Sequence, residues 1–333
     1  MSTAFRTIAI MIVMSTITTA VVRADVLIDT EFMVPSGEAE LYLRVRGDDG
    51  SNPVLLYLHG GPGEMNGPLL FQAYAGPELE KQFVVAYLHQ RHTCMSPEAP
   101  LNTLTVNQFV EDVDAVVEFL KNEFNQDKIL LLGHSFGGAL GYLYLLEHEE
   151  NIVKFVSVGG SFSTASIETN GYETVMNLAV EAENQAAVNQ LKAVGPPPYD
   201  TLQDGMVWRM LAMSILAERN EGLDKNLDMS TVISVTGIEG MDMGWQKKFM
   251  DVAGMMWTEL KTIDLVDDVK NIKTPMLLIV GAQDIMVPFS ILEEGFANYG
   301  GPKEYVILEN SNHMMFVDEP GLFTSKVIEF LQD

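Results

Sequence analysis

Cysteine is almost absent: the 333 residues hold one, Cys94. No intrachain disulfide can form, so the fold must be held by its core, and a lone Cys is ordinarily a small buried hydrophobe. Basic side chains are scarce too. Twenty Lys and Arg stand against 46 Asp and Glu, a formal net charge of −26. Phosphate backbones are gripped by clusters of Lys and Arg, and no such cluster occurs, which argues against nucleic-acid binding. Acidity of this kind fits a well-solvated protein. Internal repeats and low-complexity tracts are lacking. Long apolar runs are confined to Thr7–Val22, which is short for a membrane span and rich in Thr and Ser. That run follows a basic start at Arg6 and precedes Val22-Arg23-Ala24. The pattern predicts a signal peptide over 1–24, cleaved near Ala24, and an exported protein, periplasmic or secreted, with no stable membrane span after its removal.

What is present is a core. With 47% hydrophobic residues, the chain can form one large domain or one domain with a sizeable insertion. Residues 39–46 alternate as a half-buried strand does. Continuous apolar runs at 53–58, 83–88, 128–132, 153–158 and 275–280 read as strands buried on both faces. Residues 304–309 are strand-like as well. Between them lie helical stretches. The clearest is 106–123, with an apolar stripe from Phe109 to Leu120 and a capping box of Thr105 and Gln108. Such alternation predicts an α/β fold, a mostly parallel, doubly wound sheet with right-handed crossovers. The alternation stops after Gly160. From 161 to 270 the pattern is helical, notably at 205–218 and 243–261, and strands resume at Pro275. The expected organisation is a core of 25–160 and 271–333 carrying an inserted helical cap at 161–270.

Gly133-His134-Ser135-Phe136-Gly137 matches G-x-S-x-G and sits between a strand and a helix. On that sharp turn a Ser is lifted into solvent, flanked by small residues because larger ones would collide. A Ser hydroxyl needs a base. Of the six His, His313 lies in the loop after 304–309, where a base can reach over the C-terminal edge of the sheet. Asp284, in the loop after 275–280, can accept the His Nδ1–H and stabilise the imidazolium. The chain order Ser, Asp, His suits this arrangement. His59-Gly60-Gly61-Pro62-Gly63 follows 53–58, and the N–H groups of Gly61 and Phe136 are the candidate oxyanion donors. Such a set needs no cofactor. His89-x-x-His92-x-Cys94 offers metal-ligand types but no fourth partner in the sequence, so no metal is expected.

Together, HGGPG at 59–63, GHSFGG at 133–138, GAQD at 281–284 and SNH at 311–313 resemble the proline iminopeptidase branch of the α/β-hydrolase superfamily. The resemblance spans nearly the whole chain after the signal-like segment. In that branch a DQRG-type segment follows the fourth strand. Here it reads His89-Gln90-Arg91-His92, and Cys94 and Met95 stand where Gly and Arg are usual. The resemblance implies an α/β-hydrolase fold, a cap over the active site, and acidic residues that hold the free amine of a short peptide or other small substrate. Glu64, directly after HGGPG, and Glu173, early in the cap, are the candidates. The expected activity is a serine hydrolase working through an acyl-enzyme, an aminopeptidase of proline iminopeptidase type. A carboxylesterase or lactonase for small acyl groups is the alternative. A non-catalytic binding protein on the same fold is a third reading, disfavoured by the intact Ser135, Asp284 and His313.

Overall fold

A computed structural model describes residues 27–219, 221–222, 225–238 and 243–333. The signal segment expected over 1–24 lies outside the described residues. Eight strands form one sheet: β1 (Ile28–Ser36), β2 (Ala39–Gly47), β3 (Val54–Leu58), β4 (Val84–Leu88), β5 (Ile129–His134), β6 (Ile152–Val158), β7 (Met276–Gly281) and β8 (Lys303–Leu308). Their order is β1-β2-β4-β3-β5-β6-β7-β8. The β2 strand runs antiparallel to both β1 and β4, and the rest pair in parallel. Helices α1 (Gly67–Tyr74) and α2 (Gly76–Leu79) follow β3, α3 (Val106–Glu123) follows β4, and α4 (Phe136–His148) follows β5.

Between β6 and β7 come α5 (Thr164–Glu181), α6 (Gln185–Val194), α7 (Leu202–Glu218), α8 (Met229–Thr236) and α9 (Met243–Leu260). Helix α10 (Glu293–Asn298) links β7 to β8, and α11 (Met315–Asp318) and α12 (Pro320–Gln332) follow β8. The strands expected from apolar runs are all present, within a residue or two at each end. The β1 strand was not legible, because its sequence IDTEFMVPS carries charge where a buried strand carries apolar side chains. It is an edge strand, exposed along most of its length. Helix α3 spans the predicted residues. Thr105 Oγ1 accepts from the Gln108 N–H at 3.2 Å, but the Gln108 amide donates to Asp112 Oδ1 at 3.3 Å instead of closing the box.

The strand period of two splits the core in two. Val54, Leu56 and Leu58 of β3 pack on one face with α3 and α4 residues. Leu55 and Tyr57 pack on the other with Phe71, Phe316 and Phe323. A third cluster lies in the insertion, where Trp208, Val175, Leu191 and Ile215 are buried against one another. The insertion leaves and re-enters the core at one point. Ser163 and Asp264 form an antiparallel bridge, with Thr164 N–H donating to Ile263 O at 3.0 Å and Leu265 N–H to Phe162 O at 2.7 Å. Helix α9 is tied down to the segment after β4: Lys248 Nζ donates to Ser96 O at 2.7 Å and to Cys94 O at 3.1 Å.

Candidate active site

Strand order reverses between β3 and β5, which are neighbours although β4 separates them in the chain. Loops leaving such a switch point diverge and open a crevice at the C-terminal edge. Leu58 pairs with Gly133, so the 59–63 loop and the turn at 134–137 leave the sheet side by side.

That turn is sterically dictated. Ser135 has φ 53° and ψ −119°, in the region L-residues avoid. Its N–H is held by Val158 O at 2.8 Å. A Cβ on Gly133 would lie 2.2 Å from Gly137 O, and one on Gly137 would lie 2.1 Å from Leu58 O. Only glycine fits either position, and the backbone packed this closely drives the Ser side chain outward. Helix α4 starts at Phe136, so the Phe136 N–H faces the same opening with no intrahelical partner. Among the described residues the N–H groups of Gly61 and Phe136 donate no hydrogen bond.

His313 and Asp284 meet from the loops after β8 and β7. His313 Nδ1–H donates to Asp284 Oδ2 at 2.8 Å, and both residues are buried. The other carboxylate oxygen, Oδ1, accepts from Met286 N–H at 2.8 Å and Val287 N–H at 2.9 Å. Burial alone would raise the Asp284 pKa; the His313 ring, its hydrogen bond and the two backbone N–H groups outweigh it and leave the carboxyl below its ordinary value. Burial would likewise lower His313, but the Asp284 carboxylate, their hydrogen bond and the nearby Glu64 charge hold it above its ordinary 6.5. Ser135 and His313 line one cavity of about 450 Å³. Among the described residues no hydrogen bond joins Ser135 Oγ to His313 Nε2, and contacts of this kind commonly close only around substrate.

Around this set, three neutral imidazoles act as scaffolding. His134 Nε2–H donates to the His313 carbonyl at 2.9 Å, and burial pushes its pKa down to about 3. His59 Nδ1–H donates to Gly60 O at 2.9 Å, its Nε2 accepts from Gln90 N–H at 3.1 Å, and burial pushes it to about 4. His89 is pushed well below its ordinary value by burial, and its Nδ1 accepts from Met95 N–H at 3.3 Å. Of the four imidazoles at this edge with a displaced pKa, His313 alone is displaced upward.

Comparison with known proteins bears on the family and the fold. The alpha/beta hydrolase fold family matches residues 53–320. The chain belongs to that family. This α/β hydrolase is 24% identical over 298 residues to a probable aminopeptidase, YbaC, of Bacillus subtilis, covering 87% of this chain and 92% of the relative. It is 22% identical to a proline iminopeptidase of Saccharolobus solfataricus, covering 87% and 88%. Among solved structures, the proline iminopeptidase of Mycobacterium smegmatis superposes with a TM-score of 0.66 at 18% identity, covering 91% of this chain and 98% of that one. An esterase from Exiguobacterium antarcticum gives 0.56 at 20% identity, covering 92% and 100%. The chain is a hydrolase with aminopeptidase relatives, and an esterase shares its fold.

The two candidate amine-holding acids part company. Glu64 lines the cavity of this α/β hydrolase beside Ser135, His313 and Gly61. Its Oε2 is shielded from solvent and has no hydrogen-bond partner. Room for it comes from two glycines. The point where a Gly60 Cβ would sit is 3.0 Å from Glu64 Oε2 and 3.0 Å from Ser135 Cβ, and a Gly67 Cβ would fall 2.5 Å from the same oxygen. Burial raises the Glu64 pKa, against a downward pull from His313 and the Gly60 N–H. Glu173 requires a correction. It is exposed on α5 and does not line the cavity, because the helical period turns it away from the wall that Thr164 and Ile167 form. The buried acid of that helix is Glu168, one turn and a fraction earlier.

Sequence reasoning missed Glu168 and its partner Arg209, which lie 41 positions apart in two cap helices. No local signal links them. It also missed the work of Gln90 and Arg91. Gln90 Nε2–H donates to His59 O at 2.8 Å, fastening the 59–63 loop. Buried Arg91 donates to Asp112 at 2.6 and 2.9 Å and to Ser36 O at 2.9 Å. Their retention in a segment otherwise unlike its relatives was the available clue. His92 and Cys94 are engaged structurally: His92 Nδ1 accepts from Ala99 N–H at 2.9 Å, its Nε2–H donates to Asp251 Oδ2 at 3.3 Å, and burial pushes the Cys94 thiol up to about 12. Among the described residues no group of three or more His, Cys, Asp or Glu is set to hold a metal ion. Nor is any described helix long and apolar enough to cross a membrane.

Proposed function

We infer that this hydrolase works by serine acyl transfer. The observation that carries the reading is the strained Ser135 turn opening on the same cavity as the buried His313–Asp284 pair. Neutral His313 Nε2 takes the Ser135 hydroxyl proton as Oγ bonds to the substrate's carbonyl carbon. The carbonyl π-bond opens and its oxygen becomes negative, facing the free N–H groups of Gly61 and Phe136. Asp284 stabilises the imidazolium that forms. His313 then gives its proton to the departing amine or alcohol as the carbon–leaving-group bond breaks. Water, deprotonated by the same imidazole, attacks the acyl-enzyme and frees the acid and Ser135.

For the substrate, the reading is an aminopeptidase of proline iminopeptidase type. Glu64 supports it. A carboxylate oxygen without a partner in a mostly apolar cavity is costly unless a ligand supplies a donor. An α-ammonium beside the scissile carbonyl supplies one, at a distance from Ser135 that the shared contact at Gly60 keeps short. The esterase reading is favoured by the rest of the lining, where Met206, Met213, Phe249 and Trp257 offer apolar surface to a small acyl group. A fluorophosphonate probe should label the protein, and Ser135→Ala should abolish labelling together with turnover. Labelling that persists in the variant refutes the serine reading. Arylamides with a free N-terminus should be cut much faster than their N-acetyl counterparts. Equal rates, with fast aryl-ester hydrolysis, would make it an esterase.

A further inference from the structure

Among the residues that line the cavity with Ser135, the cap contributes one basic side chain, Arg209 of α7. One edge of its guanidinium is committed. Nη1 donates to Glu168 Oε2 at 3.1 Å and to Gly205 O at 2.7 Å, and Nη2 donates to Glu168 Oε1 at 2.6 Å. Glu168 is itself fixed. It is 4% exposed, and its Oε2 also accepts from Trp208 Nε1–H at 2.8 Å. The guanidinium carbon lies 4.3 Å from the Trp208 ring centroid, so the head group is held by stacking as well as by hydrogen bonds.

A guanidinium carries five N–H donors in a rigid plane. Glu168 and Gly205 engage three. The two left are Nε–H and the second Nη2–H, and neither donates a hydrogen bond among the described residues. Those two point the same way along one edge of the plane, at the spacing of a carboxylate's oxygens. The arrangement is therefore half of a bidentate pair, preorganised by a buried acid and an indole. Since Glu168 compensates the charge, what the edge offers is direction: two aligned donors in a cavity of low polarity, where hydrogen bonds to a charged group are strong.

We propose that Arg209 is a carboxylate subsite, and that the substrates of this hydrolase carry a free carboxylate on the part that reaches the cap. The inference rests on the serine-hydrolase reading and narrows it. With the unpartnered Glu64 oxygen on the core wall and the Arg209 fork on the cap wall, the fitting class is a short zwitterionic peptide, a dipeptide above all. A cavity of about 450 Å³ suits a molecule of that size.

The test is competition against turnover of a neutral aryl ester, which does not require the peptide to be cleaved. Alanyl-alanine should inhibit at least about tenfold more tightly than alanyl-alaninamide, as expected for two charge-assisted hydrogen bonds. A smaller preference overturns the proposal. In Arg209→Lys, which keeps a cation for Glu168 but not the fork, the two inhibitors should agree within about threefold. A larger preference there overturns it as well. Fluorophosphonate labelling of Ser135 reports that the variant is folded, and the wild-type comparison stands without the variant. Ester turnover that survives Ser135→Ala would sink the serine reading instead. Ser135-dependent turnover with no preference between the inhibitors would sink only the carboxylate subsite.

Discussion

Asp284 shows how much a single side chain controls. Its charge and hydrogen bond keep His313 basic despite burial. His313 must be neutral to accept the Ser135 proton, so kcat/KM should fall as pH drops through the His313 pKa, with that acidic limb above 6.5. In Asp284→Asn burial is opposed only by Glu64, and the limb should move to lower pH. Turnover should drop about 10³- to 10⁴-fold, because the wrong tautomer is then presented. A pH–rate profile of both proteins measures it, and an unmoved limb means that another acid sets the base. That Ser135, Asp284 and His313 share one edge of the sheet was legible because each follows a recognisable strand and chain order constrains the set. Glu64 was legible by adjacency to HGGPG. Glu173 was misplaced because sequence position early in the cap says nothing about which side of the helix faces the cavity.

Among the elements, the central parallel strands β3 to β7 announced themselves as continuous apolar runs, since burial on both faces leaves no alternation to misread. The β1 strand stayed hidden for the converse reason: an edge strand facing water carries Asp and Glu and looks like loop. The cap helices were visible, but their mutual packing was not. Helices α5 and α7 meet where Gly171 faces Trp208. A Cβ on Gly171 would lie 2.5 Å from the indole, which is fully buried and anchored through Glu168. Gly171→Ala should therefore cost about 1–3 kcal/mol of stability, the usual range for overpacking. Denaturant unfolding, with limited proteolysis reporting on the cap, would measure it. A change under about 0.5 kcal/mol, the level of an ordinary surface substitution, would mean the helices separate without strain.

At the scale of the whole molecule, the excess of acids over bases is large enough to matter for stability. Like charges at net −26 repel one another in the compact state, and salt screens them over about 8 Å at physiological ionic strength. Raising salt from a few millimolar to about 0.15 M should raise the thermal midpoint by about a few degrees. A midpoint that is unchanged or falls would show that the acids are already compensated by local pairing. The cap adds a different kind of consequence. The chain from Ser163 to Asp264 leaves and rejoins the core at one facing pair of residues. Its helices are held down elsewhere by contacts such as Lys248 on Ser96 O and Arg44 on Thr236 O. A segment whose two ends lie side by side can be lengthened, trimmed or exchanged without stretching the sheet below, provided the side chains that dock it are matched. Trp208, Glu168 and Arg209 would travel with such a graft, while Ser135, His313 and Asp284 would stay behind. One exchange of that segment would thus replace the Arg209 side of the cavity and leave the Ser135 side as it is.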